Sequence, residues 1–191
     1  MQTQIYALCD YQTLVKFDIS LSKYLEICSN HNIIYIQYRN KIDSIEIQIK
    51  HIEFIKSNTN IPIIINDKLD LLDLVDGLHL GQEDLSELSN KYKLDSINTI
   101  KFLRKKYQNK IIGLSTHNEL EILESNKYDI DYIGLGAYRQ TNTKDVPNIL
   151  GSNISYLAQI SIHSVGAIGG VKIDDRIDNI TYNVIGSDLL R

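Results

Sequence analysis

The sequence predicts a (β/α)₈ barrel, and three observations carry that expectation. Eight short apolar runs, each bounded by Gly, Asn, Asp or Ser, recur along the 191 residues. Between them lie segments with helical spacing, such as Leu21, Tyr24, Leu25 and Cys28, or Ile100, Leu103 and Tyr107. Strand and helix in alternation imply βα units around a parallel sheet. The two prolines, Pro62 and Pro147, fall at a strand start and in a loop, so neither interrupts an element. The competing arrangement is an open doubly wound sheet.

The strands are expected at "IYALC" 5–9, "IIYIQY" 33–38, "PIIIN" 62–66 and "GLHLG" 77–81, then "IIGLS" 111–115, "YIGLG" 132–136, "VGAIG" 165–169 and "YNVIG" 182–186. On the second strand Gln37 and Arg39 share a face, inward in a barrel, while Ile34, Ile36 and Tyr38 take the other. Only ten residues separate "PIIIN" from "GLHLG", near the lower limit for a parallel crossover. The third helix is therefore about two turns, from Asp67 or Lys68 to Val75. Gly134 and Gly136 share a face of the sixth strand; turned inward, they leave room for a ligand ring. No repeat, low-complexity run or linker divides the chain, so residues 1–191 are read as one compact domain, below the roughly 250 residues typical of this barrel.

With 43% hydrophobic and 23% charged residues, the composition is that of a globular protein with a sizeable core. A formal charge of −4 excludes a nucleic-acid surface held by net charge, yet leaves room for a local cluster of Lys and Arg around an anion. Cys9 and Cys28 are too far apart for a CxxC pair, and "MQTQIYALCD" lacks the features of a signal peptide, which points to the cytoplasm. No run approaches the about 18 apolar residues of a membrane span.

In parallel α/β folds the chemistry sits at the carboxyl ends of strands. Here those ends give Asp10; Gln37, Arg39 and Lys41; Asn66 and Asp67; Gln82, Glu83 and Asp84; Ser115, Thr116 and His117; Arg139, Thr141, Thr143 and Lys144; Gly169 and Gly170; Ser187 and Asp188. Carboxylates beside cations and glycine amides are what a Mg²⁺-bound phosphate or pyrophosphate requires. Each residue also has a plainer use. Asp67 and Asp84 suit helix N-caps, Arg39 and Lys41 suit a solvated rim, and "AIGG" 167–170 suits either a strand-end turn or an amide nest for phosphate. His31, His51 and His163 read as surface residues, and His79 as a satisfied core histidine.

Taken together, "IQYRNK", "IIINDKLDLLDLVDGLHLGQEDL", "IIGLSTHNELE", "DYIGLGAYRQTNTKD" and "VGAIGGV" resemble the thiamine phosphate synthase family, in the superfamily shared with thiazole tautomerase. The resemblance runs from about Ile5 to Ser187. It implies a transferase that couples hydroxymethylpyrimidine diphosphate with thiazole phosphate, releasing pyrophosphate first with Mg²⁺ as cofactor. By motif position it implies Asp67 and Asp84 as metal ligands, and Arg39, Lys41, Asn66 and Lys144 around the pyrophosphate. It turns Gln37 and Ser115 toward the pyrimidine or its leaving group, and Thr141, Thr143, Gly170 and Ser187 toward the thiazole phosphate. Lys144, Ser115, Arg39 and Lys41 are the implied catalytic set.

The chain departs from that pattern at Ala137, Tyr138, Arg139 and Gln140, which put an extra cation beside the site. Between Gly170 and Ser187 it is short, which implies a shortened seventh helix, and it stops at Arg191 with the eighth helix missing. A flank bared in this way would expose Val184, Leu189 and Leu190 beside outward side chains such as Ile5 or Tyr6, and a homodimer would cover it. Two other activities fit the resemblance. A thiazole tautomerase would rely on a histidine where Ala137 stands, and a non-catalytic barrel would bind a thiamine precursor.

Overall fold

The computed structural model describes residues 4–140 and 149–191. Its eight strands are β1 (Gln4–Asp10), β2 (Ile33–Arg39), β3 (Ile63–Asn66), β4 (Gly77–Leu80), β5 (Ile111–Thr116), β6 (Tyr132–Gly136), β7 (Ser164–Ile168) and β8 (Tyr182–Ile185). All pair in parallel in chain order, and β8 returns to β1, closing the barrel. Closure decides against the open sheet. Every expected strand is present to within a residue or two at its ends.

Seven α-helices are described: α1 (Tyr11–Lys16), α2 (Leu21–Ser29), α3 (Ile45–Asn58), α4 (Gln82–Tyr92), α5 (Ser96–Lys106), α6 (Glu119–Ser125) and α7 (Asn153–Ile160). Several starts are fixed by side chains that satisfy an otherwise unpaired amide. Asp95 Oδ1 accepts from Asn98 N at 2.7 Å and Asn118 Oδ1 from Glu121 N at 3.0 Å. Between β3 and β4 the chain has room only for a 3₁₀ turn, Leu69–Leu74, in place of the two-turn α-helix expected there. Its tighter winding covers the distance in fewer residues and still buries Leu69, Leu71 and Leu72.

Strand alternation sorts the side chains into two layers. Inside the barrel Tyr6, Ile64, Tyr132 and Val184 pack together; outside, Ala7, Cys9, Ile36, Tyr38, Ile63, Ile65 and their counterparts meet the helices. Tyr6 therefore faces inward, whereas the bare-flank expectation had it outward.

The flank itself is covered. Among the described residues no helix lies between β7 and β8, so the shortening expected of the seventh helix is complete. A turn-rich connection takes its place, burying Val171, Ile177 and Ile180. It is fastened at several points. Asp175 Oδ2 accepts from Lys172 N at 2.8 Å, Asn183 Nδ2 donates to Asp175 O at 3.0 Å, and Ile173 N donates to Asp188 Oδ2 at 3.1 Å. After β8 a 3₁₀ turn, Ser187–Leu190, lays Leu189 into the core at 3% exposure. Val184 lies inside the barrel. Among the described residues the apolar patch that was to seat a homodimer is not formed: Val184 and Leu189 are buried and Leu190 packs partly buried against the core. No helix among the described residues is long and apolar enough to cross a membrane.

Candidate active site

The carboxyl ends of β1 to β5 gather the polar side chains. Asp10 ends β1 and is buried; it caps α1 through Thr13 N at 2.9 Å and forms an ion pair with Arg39, its register partner on β2. Arg39 is therefore aimed along the mouth by a buried carboxylate. Asp10 was read only as one strand end among eight; its register opposite Arg39 is the signal that marks it.

A second chain of contacts crosses from β2 to β3. Gln37 is buried and its Nε2 donates to Asn66 Oδ1 at 2.6 Å, while Asn66 Nδ2 donates to the Asp67 carboxylate. Both amides thus pass donors in one direction, ending on an acid. Asp67 holds a left-handed backbone, φ 63°, with its amide bonded to His79 O at 2.9 Å. That conformation suits Asp, whose short side chain tolerates it. Asp67 caps no helix. Asp84, in the first turn of α4, accepts from Gly81 N at 3.1 Å, so the capping use holds for this residue in part.

Asp67 and Asp84 come together beside Glu87, Leu88 and Lys91 around a cleft of about 260 Å³. Burial, then the charge and contact of Asp84, push the Asp67 carboxyl up to about 6; Lys41 and Arg39 pull it back. Asp84 thus raises Asp67 while two cations oppose it, and the paired acids leave the centre of the site short of positive charge. No cluster of three or more metal-ligating side chains occurs among the described residues. A pair is nevertheless the number Mg²⁺ takes when waters and substrate phosphates complete its octahedron. A wider hollow of about 450 Å³, lined by Pro62, Asp76, Lys110 and Ile111, opens at the amino ends of the strands, away from these groups.

Ser115, on β5, accepts at 3.0 Å or donates to His79 Nε2, and its carbonyl accepts from Gln82 Nε2 at 2.6 Å. His79 Nδ1 meets Tyr132 Oη at 2.9 Å, and Tyr132 Oη meets Tyr6 Oη at 2.8 Å. His79 is the satisfied core histidine expected, and burial lowers its pKa to about 4. It faces inward by the alternation of β4, in which Leu78 and Leu80 face the helices. The tie to Ser115 was not legible. His51 and His163 are half-buried rather than surface residues; they bond Tyr38 Oη and Ser125 O at 2.7 and 3.0 Å.

On the far side of the mouth the expectations fare differently. The room left by Gly134 and Gly136 is used by the protein: a Cβ on Gly134 would lie 3.1 Å from His79 Cε1, and one on Gly136 2.5 Å from Ile168 O. Gly169 and Gly170 have φ of 86° and 66° and lie against Ala137 and Arg139. Arg139, the extra cation, is spoken for. It pairs with both oxygens of Asp175 at 2.5 and 2.9 Å, donates to Gly170 O at 3.1 Å and stacks on Tyr138. Ser187 begins the last 3₁₀ turn. Thr141, Thr143 and Lys144 lie outside the described residues.

A parallel eight-stranded barrel with paired carboxylates, an arginine and a lysine at the carboxyl ends of its strands defines the class of barrel that handles anionic small molecules there. A family model described as thiamine monophosphate synthase matches residues 5–186, and the chain belongs to that family. It is 34% identical over 151 residues to a thiamine-phosphate synthase of Dictyoglomus thermophilum, covering 75% of this chain and 62% of that protein. It thus spans a little under two thirds of that relative's length. A thiamine-phosphate synthase of Persephonella marina is 32% identical over 179 residues, 90% of this chain and 78% of the relative. In fold, the chain is similar to the thiamine phosphate pyrophosphorylase of Pyrococcus furiosus, with a TM-score of 0.69 at 21% identity over 96% of this chain and 85% of that one.

Proposed function

We propose that this chain joins hydroxymethylpyrimidine diphosphate to thiazole phosphate, giving thiamine phosphate and pyrophosphate. The observation that carries the reading is the Asp67–Asp84 pair, in which Asp67 is raised by burial and by Asp84 and opposed by Lys41 and Arg39, at the mouth of a barrel of this family. In the reaction the methylene C–O bond breaks, its electron pair leaves with pyrophosphate, and the thiazole nitrogen closes a new C–N bond on the same carbon. No oxidant and no protein nucleophile enter. The tasks left to the protein are to stabilise the departing charge and to hold two substrates in line.

Asp67 and Asp84 would hold Mg²⁺, which supplies charge neutralisation to the leaving diphosphate. Arg39, Lys41, Asn66 and Lys144 take its remaining oxygens. Arg39 is preset for that task by Asp10, because a guanidinium already anchored on one edge loses less freedom when it binds on another. Gln37 and Ser115 face the pyrimidine or its leaving group; Thr141, Thr143, Gly170 and Ser187 face the thiazole phosphate. The buried free thiols of Cys9 and Cys28 suit the reducing cytoplasm as the place of action.

The tautomerase alternative lacks its imidazole, since Ala137 occupies the position after β6. The binding-only alternative drew on the missing helix and the altered 137–140 stretch; both remain, but the flank is covered and Arg139 is paired with Asp175, so neither feature leaves the barrel impaired. The deciding experiment is turnover with both substrates and Mg²⁺. Product that disappears on chelation is the expected result; a thermal shift with each substrate but no product would overturn the reading.

A further inference from the structure

Four side chains are linked in series through the barrel interior: Tyr6 Oη to Tyr132 Oη at 2.8 Å, Tyr132 Oη to His79 Nδ1 at 2.9 Å, and His79 Nε2 to Ser115 Oγ at 3.0 Å. One end is closed. Tyr6 is fully buried, and among the described residues its hydroxyl meets no polar atom but Tyr132 Oη. The other end, Ser115, is part-exposed where β5 reaches the mouth.

Each hydroxyl and a neutral imidazole have one proton to donate. In one direction Tyr6 donates to Tyr132, Tyr132 to Nδ1, and Nε2–H to Ser115 Oγ; the Ser115 proton is left over, at the open end. If Nδ1 carries the proton instead, it must donate to Tyr132. Then either Tyr132 donates to Tyr6 and the Tyr6 proton is stranded, or Tyr6 donates to Tyr132 and the Tyr132 proton is stranded. An imidazolium meets the same dead end. A buried donor with no acceptor carries its full desolvation cost, whereas a proton left over at the mouth finds water or substrate.

We infer that the closed end at Tyr6 sets the direction of the series, so that His79 is held as the Nε2–H tautomer and the Ser115 hydroxyl proton is left free to donate to the bound substrate. His79 is then a positioning residue. Its imidazole occupies one lone pair of Ser115 Oγ and aims the hydroxyl proton at the mouth. The free proton calls for an acceptor on the substrate, namely a ring nitrogen lone pair or a phosphate oxygen, which the opposite tautomer, with Ser115 donating to Nε2, would leave without a donor. The substrate half of this inference rests on the synthase reading; the tautomer half does not.

The test is ¹⁵N NMR of the full chain with labelled histidine, the His79 signals being assigned by their loss in His79→Gln. In the resting protein Nε2 should be pyrrole-like and Nδ1 pyridine-like. Tyr6→Phe should keep that tautomer, because Tyr132 then becomes the closed end, and should change turnover by about twofold at most. The Tyr6→Phe, Tyr132→Phe double variant should mix the tautomers and lower kcat/KM about tenfold, the size of one misdirected hydrogen bond. Nε2–H in the unaltered protein supports the inference whether or not product forms, so a failure of the synthase reading is seen separately. An Nδ1–H tautomer or an imidazolium overturns it even in a fully active enzyme, and that measurement needs no variant to fold.

Discussion

Along the β2–β4 arc of the mouth the polar groups are side chains standing on strand ends: Gln37, Arg39 and Asn66, each held by a residue on an adjacent strand, and Asp67, whose carboxylate accepts from Asn66. Along the β6–β8 arc they are largely backbone. There Gly169 and Gly170 turn in the left-handed region, and the connection to β8 has no helix and is pinned by Arg139, Asp175, Asn183 and Asp188. The contrast separates two kinds of precision. A side chain on a strand inherits its position from the barrel hydrogen bonds, so its residue type decides what it binds. A backbone amide in a loop inherits its position from whatever holds the loop. Damage to the first arc should therefore remove chemistry with little loss of stability, and damage to the second should loosen structure first.

The largest effect is expected in the first arc. Asp67→Asn and Asp84→Asn should each lower Mg²⁺-dependent turnover by about 10³-fold, since a hard cation loses a charged oxygen. Asp67→Asn should at the same time raise stability near neutral pH. The folded carboxyl is raised to about 6 from its ordinary 3.8, so the stability it contributes is present at low pH and is lost as pH rises through that window. Removing the charge recovers on the order of 1 kcal/mol after discounting for solvent screening. Metal titrations of activity and thermal melts at pH 5 and 7.5 check both signs. An Asp67→Asn variant that loses stability at pH 7.5 would erase the contrast between the arcs. Lys144→Ala, in the segment between β6 and β7, comes next: kcat should fall about 10²-fold with a much smaller change in KM for thiazole phosphate. A change confined to KM would move Lys144 from the departing pyrophosphate to ground-state binding.

In the second arc, Asp175→Ala should behave in the opposite manner. It removes a two-pronged pairing with Arg139 and a turn-closing acceptor for Lys172 N, for a loss of about 2–3 kcal/mol. Turnover per folded molecule should stay within about threefold. Pairing with Arg139 holds the Asp175 carboxyl below its ordinary value, so this stabilisation is present at neutral pH and is lost as pH falls through 3.8 and below. Hydrogen exchange over residues 171–181 checks it: protection should drop there and stay level in β2–β4.

The two arcs were also unequally legible in the sequence. Short β-branched runs punctuated by Gly and Asn specify strands locally, and the strand-end residues follow by counting, which is why Gln37, Arg39, Asn66, Asp67 and Asp84 fell where expected. The flank near β8 obeys no period. Val171, Ile177 and Ile180 are buried by a loop whose course depends on Arg139, 36 positions before its partner Asp175. Nothing in local pattern encodes that contact, so a missing helix read as exposed surface. Tyr6 was misassigned for a related reason: both faces of a barrel strand are apolar, and parity alone does not say which is inside. The interior series from Tyr6 to Ser115 likewise joins four strands that no sequence window spans.

Gly170→Ala gives the smallest and most local effect, and it asks whether the loop's hold on the backbone matters to the site. Gly170 has φ 66°, a region that costs a side-chain-bearing residue about 1 kcal/mol. The added methyl would also meet Arg139 Cβ at 2.8 Å and Gln140 O at 3.0 Å, and neither is a flexible side-chain end. The strain cannot be relieved by a rotamer change; it must move backbone. Two directions are open. If the 169–170 turn gives way, its amides shift while the Arg139–Asp175 pair survives, and KM for thiazole phosphate should rise about fivefold with kcat and the diphosphate KM unchanged. If instead the Arg139 side yields, the ion pair weakens and the Asp175→Ala exchange pattern should appear in miniature. The first outcome is expected, because Arg139 is anchored outside the turn by both oxygens of Asp175 and by the Tyr138 ring, whereas the bonds at Gly169 O and Gly170 O that hold the turn to this side both come from Arg139 itself. Steady-state kinetics with each substrate varied in turn reads the split, and a fall in kcat at constant KM for both would show that these amides do not hold the thiazole phosphate.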